Sequence, residues 1–143
     1  MKRRKAREHA LQILFQLDLR KEKPSAAVLR PFWAEYKPDE EVKAFAEEII
    51  KGTYKHLPKI NDLIHQCAKN WSLDRMSVVD RNVLRMAIYE ILYRIDIPTS
   101  VSINEAIEIA KKYGTEDSGA FVNGILDRVA RMTGKLEENR IED

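Results

Sequence analysis

Hydrophobic residues recur at spacings of three and four along most of the chain, which is the pattern of helices that bury one face. The clearest segment follows Asp39 and carries Val42, Phe45, Ala46, Ile49 and Ile50. The stretch 6–19 shows the same spacing. So does the segment after Pro58, whose predicted core face comprises Ile60, Leu63, Ile64, Cys67, Ala68 and Trp71. No alternating pattern long enough for a β-strand is found. The pattern therefore predicts an all-α fold, a compact single-domain bundle of about seven helices.

Prolines and capping residues predict where several helices begin and end. Pro31 is expected to break a short second helix. A long helix over 78–95 is expected to open at Ser77, with Asp80 at the spacing of a capping box, and to close before Pro98. Because this helix is apolar on nearly all sides, we expect it to lie in the centre of the bundle.

The segment that follows contains two predicted helices joined by a glycine. Ser102 and Glu105 have the spacing of a capping box, so the first of these helices is expected to begin there. Gly114 suits the left-handed residue that commonly ends a helix. Asp117 or Ser118 is then expected to cap the last helix.

The last predicted helix opens with the residues AFVNG. Its core face comprises Val122, Ile125, Leu126 and Val129. Phe121 lies roughly 90° from the centre of that face, so its ring suits core packing and stacking on a ligand equally well. Asn123 and Gly124 together cost on the order of 1 to 1.5 kcal/mol of helix stability relative to alanine. Something other than helix stability favours these two residues.

Positive charge is concentrated at the amino terminus. Residues 1–30 carry nine Lys or Arg and three acids, whereas residues 31–143 carry sixteen and twenty. Residues 1–5 are predicted to form a basic arm that neutralises phosphates, and a merely solvated terminus is the alternative. Residues 135–143 are predicted to be a polar tail. All 143 residues fit one domain, 1–143.

The sequence offers little for catalysis or metal binding. Its five glycines form neither GxxxxGK[ST] nor GxGxxG, and its three histidines lie too far apart for a helical metal pair. The single Cys67 is expected to be buried and cannot form an internal disulfide. We therefore expect no catalytic residues, no cofactor and no metal. Without a membrane span or a signal peptide, the predicted localisation is cytoplasmic.

Three ordered blocks of this chain resemble the NusB family of bacterial transcription antitermination factors. They are RKAREHALQILFQLD, VDRNVLRMAIYEILYRIDIP, and INEAIEIAK with FVNGILD, and the resemblance covers about residues 3–131. It implies a non-enzymatic helical adapter that binds boxA single-stranded RNA together with a small-subunit ribosomal protein, NusE. It further implies that both are loaded on the RNA polymerase antitermination complex, which supports ribosomal RNA transcription. Whether the chain is a monomer or a homodimer stays open.

The resemblance also implies binding residues. For RNA these are Lys2, Arg3, Arg4, Lys5, Arg7, Gln12, Phe15, Lys111, Lys112, Asp117, Phe121 and Asn123. Within this set Phe15 borders a core face and suits packing as well, and Asp117 is an acid that is expected to repel phosphates. For the ribosomal protein the implied residues are Asp74, Met76, Asp80, Arg81 and Arg85. Capping and solvation are alternative roles for these charged residues.

Two other function classes remain open. NusB-like domains also occur fused to ribosomal RNA cytosine methyltransferases, so the chain could serve an RNA-modifying enzyme. Such an enzyme needs a cofactor-binding α/β domain with a nucleophilic cysteine, which these 143 residues do not contain. A helix-turn-helix DNA-binding protein is a weaker alternative, because no short, basic recognition helix stands out.

Overall fold

Seven α-helices and one short 3-10 helix make up the part of the chain that the computed structural model describes, residues 2–135. The helices are α1 (Lys2–Arg20), α2 (Ala26–Tyr36), α3 (Glu40–Lys55), α4 (Leu57–Cys67), α5 (Val78–Tyr93), α6 (Thr99–Tyr113) and α7 (Ser118–Met132). The 3-10 helix spans Leu73–Arg75, between α4 and α5. The predicted all-α fold is confirmed, while the predicted tail falls almost entirely outside the described residues.

The helix α5 lies at the centre of the bundle, as its sequence predicts. It packs against α1, α3, α4, α6 and α7. Val83, Leu84 and Ile88 have no solvent-exposed surface. Its start is also as predicted, because the Ser77 hydroxyl accepts a hydrogen bond from the Asp80 amide at 3.0 Å. The elements that carry candidate binding residues are therefore arranged around one central helix.

The predicted capping box at the start of α6 is wrong. The helix already begins at Thr99, so Ser102 and Glu105 lie inside it. The Ser102 hydroxyl donates a hydrogen bond to the Glu90 carboxylate at 2.9 Å, and Glu105 binds the Arg4 guanidinium. Both side chains are engaged by neighbouring helices, and this tertiary use decides their roles.

The turn between α6 and α7 also differs from the prediction. Gly114 has a φ of −100°, so it is not left-handed. Glycine is needed at this position because there is no room for a side chain. A β-carbon there would collide with the Ser118 hydroxyl and would lie 2.8 Å from the Ala110 carbonyl oxygen. Asp117 occupies the cap position of α7 without a side-chain cap hydrogen bond. The Ser118 hydroxyl instead accepts a hydrogen bond from the Thr115 amide at 2.9 Å.

The structure corrects three further expectations, which concern Pro31, Ile95 and Trp71. Pro31 lies inside a continuous α2, where both Pro31 and the residue one turn earlier, Ala27, are exposed, so water can satisfy the carbonyl that proline leaves unpaired. Ile95 lies beyond the end of α5 and is 83% exposed. Trp71 lies beyond the end of α4 and is 51% exposed. Over residues 2–135, none of the helices combines the length and apolar character that crossing a membrane requires.

Candidate RNA-binding surface

The amino-terminal cations form the first turn of α1, so residues 2–5 are part of a helix and do not form a separate arm. This turn contains no acid, and cations at a helix amino terminus oppose the helix dipole. Tertiary ion pairs offset that cost. The Arg4 guanidinium donates two hydrogen bonds to the Glu105 carboxylate on α6, one of them at 2.6 Å. Lys2, Arg3 and Lys5 remain exposed on the ordered helix.

Arg7 is a structural residue, which removes it from the predicted RNA-binding set. Its guanidinium donates to both carboxylate oxygens of Glu90, at 2.7 and 2.8 Å, and Arg7 is 3% exposed. The Ser102 hydroxyl completes the site by donating to Glu90. These contacts join α1, α5 and α6. The sequence contained one signal for this pair, since Glu90 is an acid within the apolar central helix.

The end of α6 is fastened to α1 by a second set of contacts. The Lys112 ammonium lies 3.1 Å from both oxygens of the Glu8 carboxylate, and the Tyr113 hydroxyl donates to the same group at 3.1 Å. The hydrogen bond and the negative charge of Glu8 raise the pKa of Lys112. Lys111 is exposed and pairs with Glu108 on its own helix at 3.5 Å. The basic end of α6 is thus held beside the basic start of α1.

A groove of about 480 Å³ runs along α1 between these cations and the end of α2, and we call it the α1 groove. It is lined by Lys2, Lys5, Glu8, His9, Gln12, Tyr36, Lys37, Pro38, Asp39, Val42 and Tyr113. The His9 Nδ1 and Gln12 Oε1 atoms are buried and have no hydrogen-bond partner within the described part of the chain. Burial, together with the charge of Lys5, lowers the pKa of His9. Rings, an amide and cations are the groups that bind unstacked bases and phosphates.

A more apolar groove of about 360 Å³ continues from the α1 groove, and we call it the apolar groove. Gln12, Tyr36 and Tyr113 line both. The apolar groove also contains the half-buried Phe15 and reaches Val79, the residue before Asp80 in the first turn of α5. The predicted RNA-binding residues of α1 are therefore connected to the start of α5, where the ribosomal protein was expected to bind.

The candidate residues of α7 lie beside Lys111. The Lys111 side chain packs on the first turn of α7, because a β-carbon at Gly119 would lie 3.0 Å from its Cγ. Asn123 and Asp117 are exposed. Phe121 is partly buried and packs against the core, with its ring in edge contact with Trp71 at 6.4 Å between centroids. Phe121 thus combines packing with access to solvent, and its exposed aromatic neighbour was missed in the sequence, where Trp71 fitted a core spacing.

The predicted partner-binding residues are not all available. Met76 is buried at 5% exposure. Arg81 and Arg85 both bind the Asp18 carboxylate of α1, at distances of 2.7 to 2.9 Å. Met76 therefore packs in the core, and Arg81 and Arg85 fasten α5 to α1, which are structural contacts that the sequence did not predict. Asp74 remains exposed in the 3-10 helix, and Asp80 is partly buried in the first turn of α5.

Asp18, Arg81, Asn82 and Arg85 form a hydrogen-bonded cluster, which we call the Asp18 cluster. The cluster shifts the pKa values of its charged members. Burial raises the pKa of the Asp18 carboxyl, but hydrogen bonds from Arg81 and Asn82 and the charge of Arg85 outweigh that effect and hold it below its ordinary value. Burial lowers the pKa of Arg85.

Burial raises the pKa of the Cys67 thiol, which is 1% exposed as the sequence predicted. Within residues 2–135, no group of three or more His, Cys, Asp or Glu side chains is placed to hold a metal ion.

Comparisons with known proteins agree with this architecture. The chain matches the NusB family over residues 4–131. It is 53% identical to the transcription antitermination protein NusB of Anaeromyxobacter sp. strain Fw109-5, over 91% of this chain and 90% of that protein. It is 50% identical to the protein of the same name from Desulfitobacterium hafniense strain DCB-2, over 96% of this chain and 94% of the relative.

Solved structures show the same likeness. A T. maritima NusB structure superimposes with a TM-score of 0.84 at 47% identity, covering 94% of this chain and 96% of that one. A crystal structure of the antitermination factors NusB and NusE in complex with dsRNA superimposes with a TM-score of 0.83 at 26% identity, covering 92% of this chain and 97% of the other. Because the family match and these relatives span nearly all of the described residues, the chain belongs to the NusB family.

Proposed function

We propose that this chain is a transcription antitermination factor, a non-enzymatic adapter that binds boxA single-stranded RNA together with the small-subunit ribosomal protein NusE. Family membership supports the class of function, and a structural relative in complex with NusE and RNA supports the kind of partners. In this proposal the chain helps to load RNA and NusE on RNA polymerase and supports ribosomal RNA transcription. With these partners, the proposed localisation is cytoplasmic.

One observation carries the proposal, namely that the α1 groove and the apolar groove form a continuous surface. The basic start of α1 and the basic end of α6 flank the α1 groove. The apolar groove extends it through Phe15 to the start of α5. RNA and a protein partner bound at the two ends would therefore lie close enough to contact each other.

The RNA is proposed to lie along the α1 groove. Lys2, Arg3 and Lys5 are exposed near the amino terminus of α1, where helix amides also favour anions. Their charges neutralise phosphates. The partly exposed Gln12 side chain offers an amide to a base edge, and the Tyr36 and Tyr113 rings offer stacking surfaces. Asn123 and Phe121 extend the contact on α7.

The ribosomal protein is proposed to occupy the apolar groove and to contact the acids near the start of α5. Phe15 and Val79 supply apolar contact area, and Asp74 and Asp80 supply charges that orient a basic partner. A partner bound there would also cover one end of the RNA site. Binding of RNA and of NusE should therefore be coupled, and the coupling should be the same in both directions.

Titration of labelled boxA RNA by fluorescence anisotropy, with and without saturating NusE, tests this function. We expect weak binding by the chain alone and tighter binding with NusE present. A scrambled RNA of equal length and a duplex of the boxA sequence are the matched controls, and both should bind more weakly. Equal affinities with and without NusE would contradict the adapter function, and equal affinities for boxA and scrambled RNA would contradict sequence-specific recognition.

A further inference from the structure

A third groove, of about 460 Å³, lies between the end of α4 and α7, and we call it the α4–α7 groove. It is lined by Ala68, Lys69, Asn70, Trp71, Ala120, Phe121, Gly124, Ile125 and Arg128. Trp71 is 51% exposed, and its ring meets the Phe121 ring edge to face. A tryptophan of this exposure offers a flat apolar surface to solvent, which costs free energy unless something covers it.

Gly124 leaves space in this groove that the protein does not use. A β-carbon at this position would have no protein atom within 4 Å, among the described residues, outside its own helix. By contrast, β-carbons at Gly52 and Gly114 would collide with neighbouring groups. Glycine inside a helix lowers helix stability relative to alanine. Because packing within the chain does not require Gly124, the open space suits an external group that approaches the helix backbone closely.

The charges around the groove favour an anion. Lys69 and Arg128 are the charged residues that line it, and none of the described lining residues is acidic. Arg128 is held in place because its guanidinium donates a 2.6 Å hydrogen bond to the Cys67 carbonyl oxygen at the end of α4. Exposed aromatic rings flanked by cations bind single-stranded RNA, in which bases stack on rings and phosphates meet the cations.

The groove is also continuous with the surface proposed for RNA. Phe121 belongs to both, and Lys111 packs on the first turn of the same helix. We infer that the α4–α7 groove binds one unstacked nucleotide of the RNA, whose base stacks on Trp71 over Gly124 while its phosphate meets Lys69 and Arg128. This inference rests on the proposed function and extends the RNA path from α1 across α7 to the end of α4.

The fluorescence of Trp71 tests this contact directly in the full chain. The only other tryptophan, Trp33, is 7% exposed and donates its indole N–H to Glu47, so acrylamide should quench Trp71 selectively. We expect saturating boxA RNA to quench the exposed fluorescence and to protect the remainder from acrylamide. Labelled-RNA anisotropy in the same samples measures overall binding independently of Trp71.

Two variants separate stacking from stability. Trp71→Ala should weaken RNA binding by about 5- to 150-fold, the range for loss of one stacked base, while Trp71→Phe should retain most of the affinity. Ile95→Ala is the control for loss of an exposed apolar side chain, because Ile95 is 83% exposed, and it should change nothing. Gly124→Ala should raise the melting temperature by a few degrees and yet weaken RNA binding, because the new methyl group occupies the nucleotide's space.

Each other outcome overturns the inference in a distinguishable way. RNA that binds normally without changing Trp71 fluorescence, with unaltered affinity of Trp71→Ala and Gly124→Ala, would leave the proposed function intact and remove this site. Weakened NusE binding by Trp71→Ala in the absence of RNA would make the groove a protein-docking surface. Failure of the parent chain to bind boxA RNA under any condition, with or without NusE, would remove both the site and the proposed function.

Discussion

Arg7 of α1 and Glu90 of α5 form a buried, two-point ion pair, with nitrogen–oxygen distances of 2.7 and 2.8 Å and side chains 4% and 2% exposed. Arg7 follows directly on the first turn of α1, where Lys2, Arg3 and Lys5 are exposed. The buried pair therefore supports the orientation of a basic helix start that the helix dipole disfavours. Arg7 thus stabilises the fold, whereas the exposed cations beside it are the ones proposed to bind RNA.

Arg7→Ala should lower the free energy of unfolding by about 3 to 5 kcal/mol, because it leaves the Glu90 carboxylate buried and unpaired. Arg4→Ala is the matched control and should cost less, since the Arg4 side chain is 38% exposed and water can replace it at Glu105. Urea denaturation measures both. An Arg7→Ala variant with unchanged stability and reduced RNA affinity would show that Arg7 contacts phosphate instead.

Stability should fall in acid through Asp18. Its folded-state pKa is held below the ordinary value, so its contribution is complete above about pH 4 and is lost as the pH falls below that through the folded-state pKa. Free energies of unfolding measured between pH 2 and 6 should therefore show the loss of this contribution below about pH 4. Asp18→Asn should flatten the decline and, by leaving Arg81 and Arg85 without a carboxylate, cost about 1 to 3 kcal/mol at neutral pH. The same profile for Asp18→Asn as for the exposed-acid control Glu35→Gln would contradict this role.

Replacing Lys2, Arg3 and Lys5 with glutamine should reduce the salt dependence of RNA binding. Each lost phosphate contact reduces the magnitude of the negative slope of log affinity against log salt by roughly 0.7 for a single strand. Substitution is preferable to deletion, because residues 2–5 are helical and Arg4 pairs with Glu105. Lys21→Gln with Lys23→Gln, exposed just beyond the other end of α1, is the control. An unchanged slope in the triple variant would mean that the cations are only solvated.

Asp117→Asn should tighten RNA binding modestly and leave the melting temperature nearly unchanged. The Asp117 carboxylate is exposed and makes no cap hydrogen bond, so the fold does not depend on it. Its charge repels phosphates within a Debye length of about 8 Å at physiological salt, so the gain should grow at low salt. Titrations at matched salt measure the effect. Weaker binding by the variant would indicate that Asp117 itself contacts RNA or orders the site.

Gly52→Ala should lower the free energy of unfolding by about 1 to 3 kcal/mol, because its β-carbon would collide with the Tyr89 ring, whose Cδ1 would lie 2.8 Å away. The ring cannot move freely, since its hydroxyl donates to Glu48 at 2.8 Å. Gly124→Ala is the matched control, because a β-carbon at that glycine would lie in open space. Equal effects on the melting temperatures of the two variants would contradict the packing difference.

The predictions that succeeded depended on local patterns. The apolar spacing after Asp39 and after Pro58 became α3 and α4, and the encircling apolar positions of 78–95 became the central helix. Burial of Cys67 followed from the same spacing. Predictions from local sequence were wrong where a residue of another helix binds the same side chain. Ser102 and Glu105 look like a cap by spacing, but Glu90 and Arg4 engage them inside α6.

The candidate site divides in the same way. Sequence alone identified the basic amino terminus, the last helix and the family, because charge and motif are properties of neighbouring residues. It could not distinguish Arg4 and Arg7, which pair with carboxylates of other helices, from the exposed Lys5, because those carboxylates lie more than 80 positions away in the sequence. It also placed Trp71 on a core face, since spacing continues past the point where the helix ends.

The sequence by itself determined that this is an all-helical NusB-family protein with a basic start, because periodicity, composition and motif order follow from covalent neighbours. Only the tertiary structure decided which charges are exposed and which glycines are needed. Arg7 is buried and forms an ion pair with Glu90, so its charge stabilises the fold. Gly124 has open space beside it, so its side is accessible to a ligand. The physical reason is that desolvation and excluded volume depend on distances between helices, which one-dimensional spacing does not contain.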